Sequence, residues 1–355
     1  MSTIKHYFPG GNTSKGFVNY FDGIVAPWVV NKRIYVLKGG PGVGKNTFMK
    51  LFGKKMFEAG FNLEYFHCAS DVNSLDAVHI PEVGVTMLDG TAPHVIDPVT
   101  PGAIDGIINL GTYLNEKELA HKSDEILSLS LDNKGYYKST FAYLAGAGEL
   151  ETNSDYFYMN ALDYDELRCE VQDFFGTSEL KLGRNRGEMR KLFSEAYTPQ
   201  GFINYEDSIF DGYKVTLLTG PSIIASEYMK LAIHFALFMG YGCQIFYSAL
   251  LPDKVKHLVI EDLDLCITTS DTAKDKADQV VDLLSLLDPI KLEKYQDTFE
   301  FNELYRKQLV EAGIGSLKKA KKVHDDMELI YREYMDFEGV DVFTQKFVDD
   351  FMTDL

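Results

Sequence analysis

The stretch YVLKGGPGVGKNTFMKLF, residues 35–52, decides how this chain is read. An apolar run ends in four glycines within six positions, followed by one lysine and a segment with helical spacing. A strand that ends there must turn sharply and open a helix, which leaves backbone N–H groups pointed inward at an anion. Gly39, Gly40, Gly42 and Gly44 permit positive φ angles and close backbone approach, with Pro41 and Val43 completing the loop. Lys45 adds an ammonium group where the dipole of the following helix is positive. The pattern GxxxxGK[ST] predicts a phosphate site made of Gly39, Gly40, Pro41, Gly42, Val43, Gly44, Lys45, Asn46 and Thr47. A glycine-rich turn with no ligand is the alternative.

One letter departs from the pattern. Where a hydroxyl is expected to bind Mg²⁺, the chain has Asn46. Mg²⁺ demands a tight octahedron at about 2.1 Å, which a longer amide oxygen serves poorly. Asn46 ligates through its carbonyl, or Thr47 shifts to serve, or the metal is held weakly and diphosphate is preferred. The reading favours weakened metal binding with phosphate binding intact, so the expected cofactors are ATP or ADP, with Mg²⁺. The expected second metal anchor is Asp89, closing the apolar strand VGVTML, with Gly90 where many ATPases carry a catalytic glutamate. Asp71, past the next strand, faces the same crevice, and His94 and Asp97 are placed to orient water or an acceptor. For each of the last three a turn-capping role is the competing account.

No arginine lies between Arg33 and Arg168, so the first insertion holds no arginine-rich lid. Charge stabilisation would have to come from Arg184, Arg186 and Arg190; Arg186 and Arg190 are the candidates to reach a γ-phosphate across the junction between halves. A solvated basic linker is the plainer reading.

The chain repeats itself. SKGFVNYFDGIV at Ser14 matches TPQGFINYEDSIF at Thr198, and from FMKLF at Phe48 against YMKLA at Tyr228 a shift of 180 holds onward. Towards the ends, Tyr158, Asp163 and Tyr164 fall opposite Tyr331, Asp336 and Phe337. The expected fold is α/β: two tandem P-loop NTPase-like parallel-sheet domains, each with a helical extension. The expected boundaries are 1–177 and 190–355, with 178–189 as linker. Strands are expected at 33–38, 62–67 and 83–88, with a helix at 45–59 stopped by Gly60. In copy two Lys45 becomes Ala225, Gly42 becomes Ser222, Gly44 becomes Ile224 and Asp89 becomes Thr269, so nucleotide binding is expected only in copy one.

A formal charge of −18 opposes a phosphate backbone or an anionic membrane, which excludes general nucleic-acid binding. Four scattered cysteines and the absence of an apolar leader point to the cytoplasm. The apolar segment 228–251 is read as a buried helix and strand, with no membrane span. Its His234, Phe235 and Phe238 replace Lys54, Lys55 and Glu58 of copy one, which points either to cover by the first half or by a second chain in a homodimer, or to a thicker helical layer in copy two.

With the loop, DGTAPHVIDP and LFSEAYTPQGFINY in view, the sequence resembles a bacterial family of tandem P-loop ATPase-like proteins along essentially its whole length. The resemblance implies nucleotide binding at residues 39–47 and a role for Asp89; the chain departs from the family at Asn46 and throughout its second loop. The leading expectation is an ATP-binding ATPase or kinase-like phosphoryl-transfer enzyme acting on an unidentified acceptor. The competing expectation is a nucleotide-dependent regulatory or binding module, acting on a protein partner with little hydrolysis.

Overall fold

The structure, a computed structural model, describes residues 2–29, 31–91, 95–176, 182–183 and 187–355. Copy one runs β1 (Ile4–Tyr7), a hairpin of β2 (Gly10–Thr13) and β3 (Gly16–Asn19), β4 (Arg33–Lys38), α1 (Lys45–Glu58), β5 (Leu63–Cys68), β6 (Asp71–Ile80), β7 (Val85–Asp89) and β8 (Asp105–Asn109). Three helices follow: α2 (Glu116–Leu119), α3 (Ser123–Ala161) and α4 (Tyr164–Gly176). Copy two runs β9 (Met189–Leu192), β10 (Glu195–Thr198), β11 (Gly201–Asn204), α5 (Asp207–Phe210), β12 (Lys214–Thr219), α6 (Ser222–Phe238), β13 (Cys243–Tyr247), β14 (Val255–Ile260), β15 (Leu265–Thr268) and β16 (Gln279–Asp282). It closes with α7 (Pro289–Glu293), α8 (Gln296–Arg332) and α9 (Phe337–Thr353).

Two six-stranded sheets carry the same plan: β1-β5-β6-β7-β4-β8 in one, β9-β13-β14-β15-β12-β16 in the other. The sheets are mixed, which corrects the all-parallel expectation. β6 and β14 run antiparallel to both neighbours. The cause is local: Ala69 and Ser70 alone separate β5 from β6, and so tight a connection joins only antiparallel strands. The register keeps the shift of 180 after the loop and changes it before the loop. Arg33 pairs with Val85 and Lys214 with Leu265, so β12 is offset by 181 residues while its neighbour is offset by 180. One residue is missing from the second loop.

Each sheet is covered on both faces, and its strand residues alternate between them. Leu37 and Met87 point towards α1, while Val36 and Leu88 join Leu217, Val259 and Phe246 in a core shared by the two sheets. The α1-side layer is completed from the far half: Val340 and Val348 of α9 are buried with Phe48 and Phe52, and Phe347 meets Tyr35 edge-on at 5.0 Å. Reciprocally, Leu167, Val171 and Phe175 of α4 pack on Tyr228 and Ile233 of α6. The copies have exchanged their terminal helices. Full burial of one Phe such as Phe48 contributes about 2–3 kcal/mol, so this exchange ties the halves firmly. Boundaries at 177 and 190 therefore separate sequence copies and not packing units.

A pseudo-two-fold axis follows from the contacts. Phe8 and Phe193, equivalent residues, exchange backbone hydrogen bonds of 2.9 and 3.0 Å. Tyr20 stacks near Phe193 and Tyr247 as Tyr205 does near Phe8 and His67. Such reciprocity is what an isologous interface requires. The long helices α3 and α8, each more than about 50 Å at 1.5 Å per residue, run antiparallel between the halves, with Thr140 donating to the carbonyl of Gly313 and Asn302 to Asn153. Cover of α6 is only partial: Phe175 stacks on Phe235 at 4.5 Å, but His234 is exposed and Phe238 is 86% exposed. Among the described residues no helix is long and apolar enough to cross a membrane.

Candidate functional site

The loop between β4 and α1 has the geometry its glycines allow. Gly39, Gly42 and Gly44 sit at φ +144°, +70° and +100°, a region closed to most side chains. Gly40 needs no positive φ; a Cβ there would stand 2.6 Å from the ring of Tyr331. Among the described residues, the N–H groups of Gly42, Gly44 and Lys45 have no protein acceptor, Pro41 and Gly42 form a turn, and α1 carries no side-chain N-cap. Unpaired helix-terminal N–H groups of this kind are donors awaiting an acceptor. The Lys45 ammonium is buried against the loop, donating to the carbonyls of Gly39 (2.6 Å) and Gly40 (2.9 Å), 3.5 Å from Asp89 Oδ2. Burial lowers its pKa, and the Asp89 charge works against that shift.

Asn46 is committed elsewhere. Its Oδ1 accepts the N–H of Leu75 at 3.1 Å and its Nδ2 donates to the carbonyl of Asn73 at 3.4 Å, so it fastens β6 to α1. Ser226, the counterpart of Asn46, accepts the N–H of Val255, the counterpart of Leu75, at 3.0 Å. The oxygen assigned to the metal thus already accepts one hydrogen bond, as a strand anchor. Asp89 Oδ1 accepts from the N–H (2.8 Å) and the hydroxyl of Thr91, and its other oxygen faces Lys45. Among the described residues no group of three or more His, Cys, Asp or Glu side chains is placed to hold a metal ion.

The other expected residues scatter. Arg190 is 2% exposed and far from free: its Nε and both terminal nitrogens bond Gly23, Ile24, Gln244 and, bidentately, Glu64. All five donors of a guanidinium are thereby used, so the catalytic assignment of Arg190 gives way to a structural one: a clamp between the halves. Asp71 caps its own turn through Asn73 and Ser74, and lies 3.4 Å from Lys321. Asp97 is exposed and pairs with Lys38 at 3.1 Å. Gly90 could not be a glutamate, because a Cβ there collides with Val36. Thr47 is exposed on α1. His94 and Arg186, like Arg184, lie outside the described residues.

Several residues at the loop escaped the sequence reading. The end of α8 roofs it: a Cβ on Gly42 would stand 3.2 Å from Arg332 Cγ and 3.4 Å from Glu328 Cβ. His324, 3.6 Å from Glu328, holds that carboxyl below its ordinary range by hydrogen bonding. Asp76, one step beyond the Ala77–Leu88 pair and so across from Asp89, is 4% exposed; burial, with the Asp89 charge, pushes its carboxyl up to about 7. The available signal for α8 was the internal alignment, in which Arg332 stands where copy one has Met159.

The second loop is closed. Gly220 keeps a positive φ, but α6 already starts at Ser222, and the N–H groups of Ile224 and Ala225 both bond the carbonyl of Pro221. The donors that copy one leaves open are spent on a helical turn. Lys254, 6% exposed in its side chain, fills the space over this loop, bonding Ser222 (3.0 Å), Glu151 (2.7 Å) and Asp155 (2.6 Å). Comparison with protein-family models, curated proteins and solved structures returns no match to this chain.

Proposed function

We propose that the first half binds the polyphosphate of ATP or ADP in the loop of residues 39–47, as a P-loop of the NTPase kind, and that the protein is a nucleotide-dependent regulatory or binding module. One observation carries this reading: a row of N–H groups without acceptors opens the helix α1, beside a lysine whose ammonium is held by the loop carbonyls of Gly39 and Gly40. Low turnover follows from Asn46, whose oxygen is given to Leu75, and from Gly90, which leaves no place for a glutamate. The phosphoryl-transfer reading keeps one specific support, the Asp76 carboxyl, buried across from Asp89 and pushed up to about 7 by that burial. Four free cysteines suit a cytoplasmic setting.

Titration calorimetry with ATP and ADP, with and without Mg²⁺, separates the two readings. The module binds ADP at least as tightly as ATP, changes affinity little with the metal, and releases phosphate at background rate. An enzyme gains tenfold or more in ATP affinity from Mg²⁺ and releases phosphate steadily; that result would overturn the proposal.

A further inference from the structure

We propose that Arg332, carried by copy two, is the cation that completes the polyphosphate site of copy one. The inference rests on the nucleotide reading above and names the missing half of that site.

Three observations converge. The first is position. Exchange of the terminal helices brings the last turn of α8 over the first loop, with the Tyr331 ring against Gly40 and the Arg332 stem against Gly42. The second is availability. Arg332 is exposed, and no carboxylate among the described residues lies within 4.0 Å of it, although its guanidinium carbon stands 5.2 Å over the Phe337 ring. Lys45, by contrast, is held by two carbonyls and Asp89, and Lys321 by Asp71 and Asp325.

The third observation is internal to the molecule. The pseudo-two-fold axis places the end of α3 over the second loop as it places the end of α8 over the first. Tyr331 and Glu328 have kept their kind there, as Tyr158 and Asp155. The cationic positions have not: Lys321, His324 and Arg332 correspond to Gly148, Glu151 and Met159. Where the loop has lost its lysine and closed into a helix, the roof has lost its cations too. A tyrosine and an acid serve the packing of any roof; an exposed arginine whose stem lies on Gly42, in the field of the Glu328 carboxylate but with no ion pair to it within 4.0 Å, is the added feature that would serve a bound anion. A guanidinium presents two parallel donors to a phosphate, and each such charge-assisted bond is about twice as strong as a neutral one.

The test compares four proteins by calorimetry, using ADP and inorganic tripolyphosphate as metal-free probes: wild type, Lys45→Ala, Arg332→Met and, as a control for net charge on the same helix, Lys322→Met. Arg332→Met reproduces the residue of the closed copy. It is expected to weaken both probes about ten- to hundredfold, as loss of a charged hydrogen-bond pair does, with the thermal midpoint of the unliganded protein unchanged. Lys322→Met stays within about twofold of wild type if the effect is local and not bulk charge. If Arg332→Met binds as wild type does while Lys45→Ala does not bind, the inference fails and the loop reading stands. If the two α8 variants weaken binding equally, the effect is bulk charge and the inference also fails. If wild type takes up neither probe, both fall.

Discussion

The two loops have the same ancestry and opposite fates. The first keeps a lysine and an open row of donors but lends the side chain after the lysine to a neighbouring strand; the second keeps a hydroxyl at that place, Ser226, and has no lysine before it. Around Lys45 the partners are backbone carbonyls and one carboxylate at 3.5 Å. Around Lys254 they are two carboxylates at 2.6–2.7 Å in a site 6–20% exposed. One lysine is held mainly by uncharged carbonyls beside an open loop, which is where the proposed anion would sit; the other is neutralised from within.

That contrast can be broken at its lysines. Lys254→Ala leaves the half-buried Asp155 without its cation and Glu151 with only Arg306 at 3.9 Å, and is expected to cost about 2–4 kcal/mol of stability, towards the lower end for removing one partner of a buried ion pair. Lys45→Ala should shift the urea midpoint by far less, because only Asp89 loses an ionic partner. Equal losses from the two would contradict the division of roles.

A smaller effect sharpens the comparison at the interface, where His67 in copy one takes the place of Tyr247 in copy two. His67 contacts His6 at 2.8 Å, and burial pushes its pKa down to about 4 from 6.5. The folded imidazole therefore refuses a proton that the unfolded chain accepts between pH 6.5 and 4. Stability falls as the pH drops through that window, by up to about 3 kcal/mol, and is unaffected by this group above it. His67→Tyr, which copies the second half, should flatten that part of the stability–pH curve; parallel curves for mutant and wild type would refute the assignment.

The smallest effect is expected at the anomalous letter. Asn46→Ser should change stability by less than about 1 kcal/mol, because Ser226 demonstrates that a serine here reaches the same strand N–H. A loss above about 2 kcal/mol in chemical denaturation would mean that the bond from Asn46 to Leu75 does more than its counterpart.

Much of this was legible in the residues. The apolar run 33–38, the helix from Lys45 and its stop at Gly60 are observed where spacing and glycine chemistry predict them. The duplication, read from matched letters, reappears as one strand order in both sheets. β6 was missed because DVNSLDAVHI begins polar and turns apolar only in its second half, so no clean alternation marks it. The helix exchange was illegible for a deeper reason. Both copies carry the same apolar faces, and sequence order does not say which sheet a helix will cover. Arg190 misled because a basic cluster near a junction reads as solvated until its partner, Glu64, is found 126 positions away. Arg332 was visible only by asking what its duplicate had become.

Stoichiometry tests the central claim most directly. Calorimetric titration of the full chain with ADP at low salt should give one site per 355-residue chain, lost in Lys45→Ala and untouched by Ala225→Lys, because the donors of the second loop are consumed by helix α6. Two sites per chain, or binding that survives the loss of Lys45, would contradict the account.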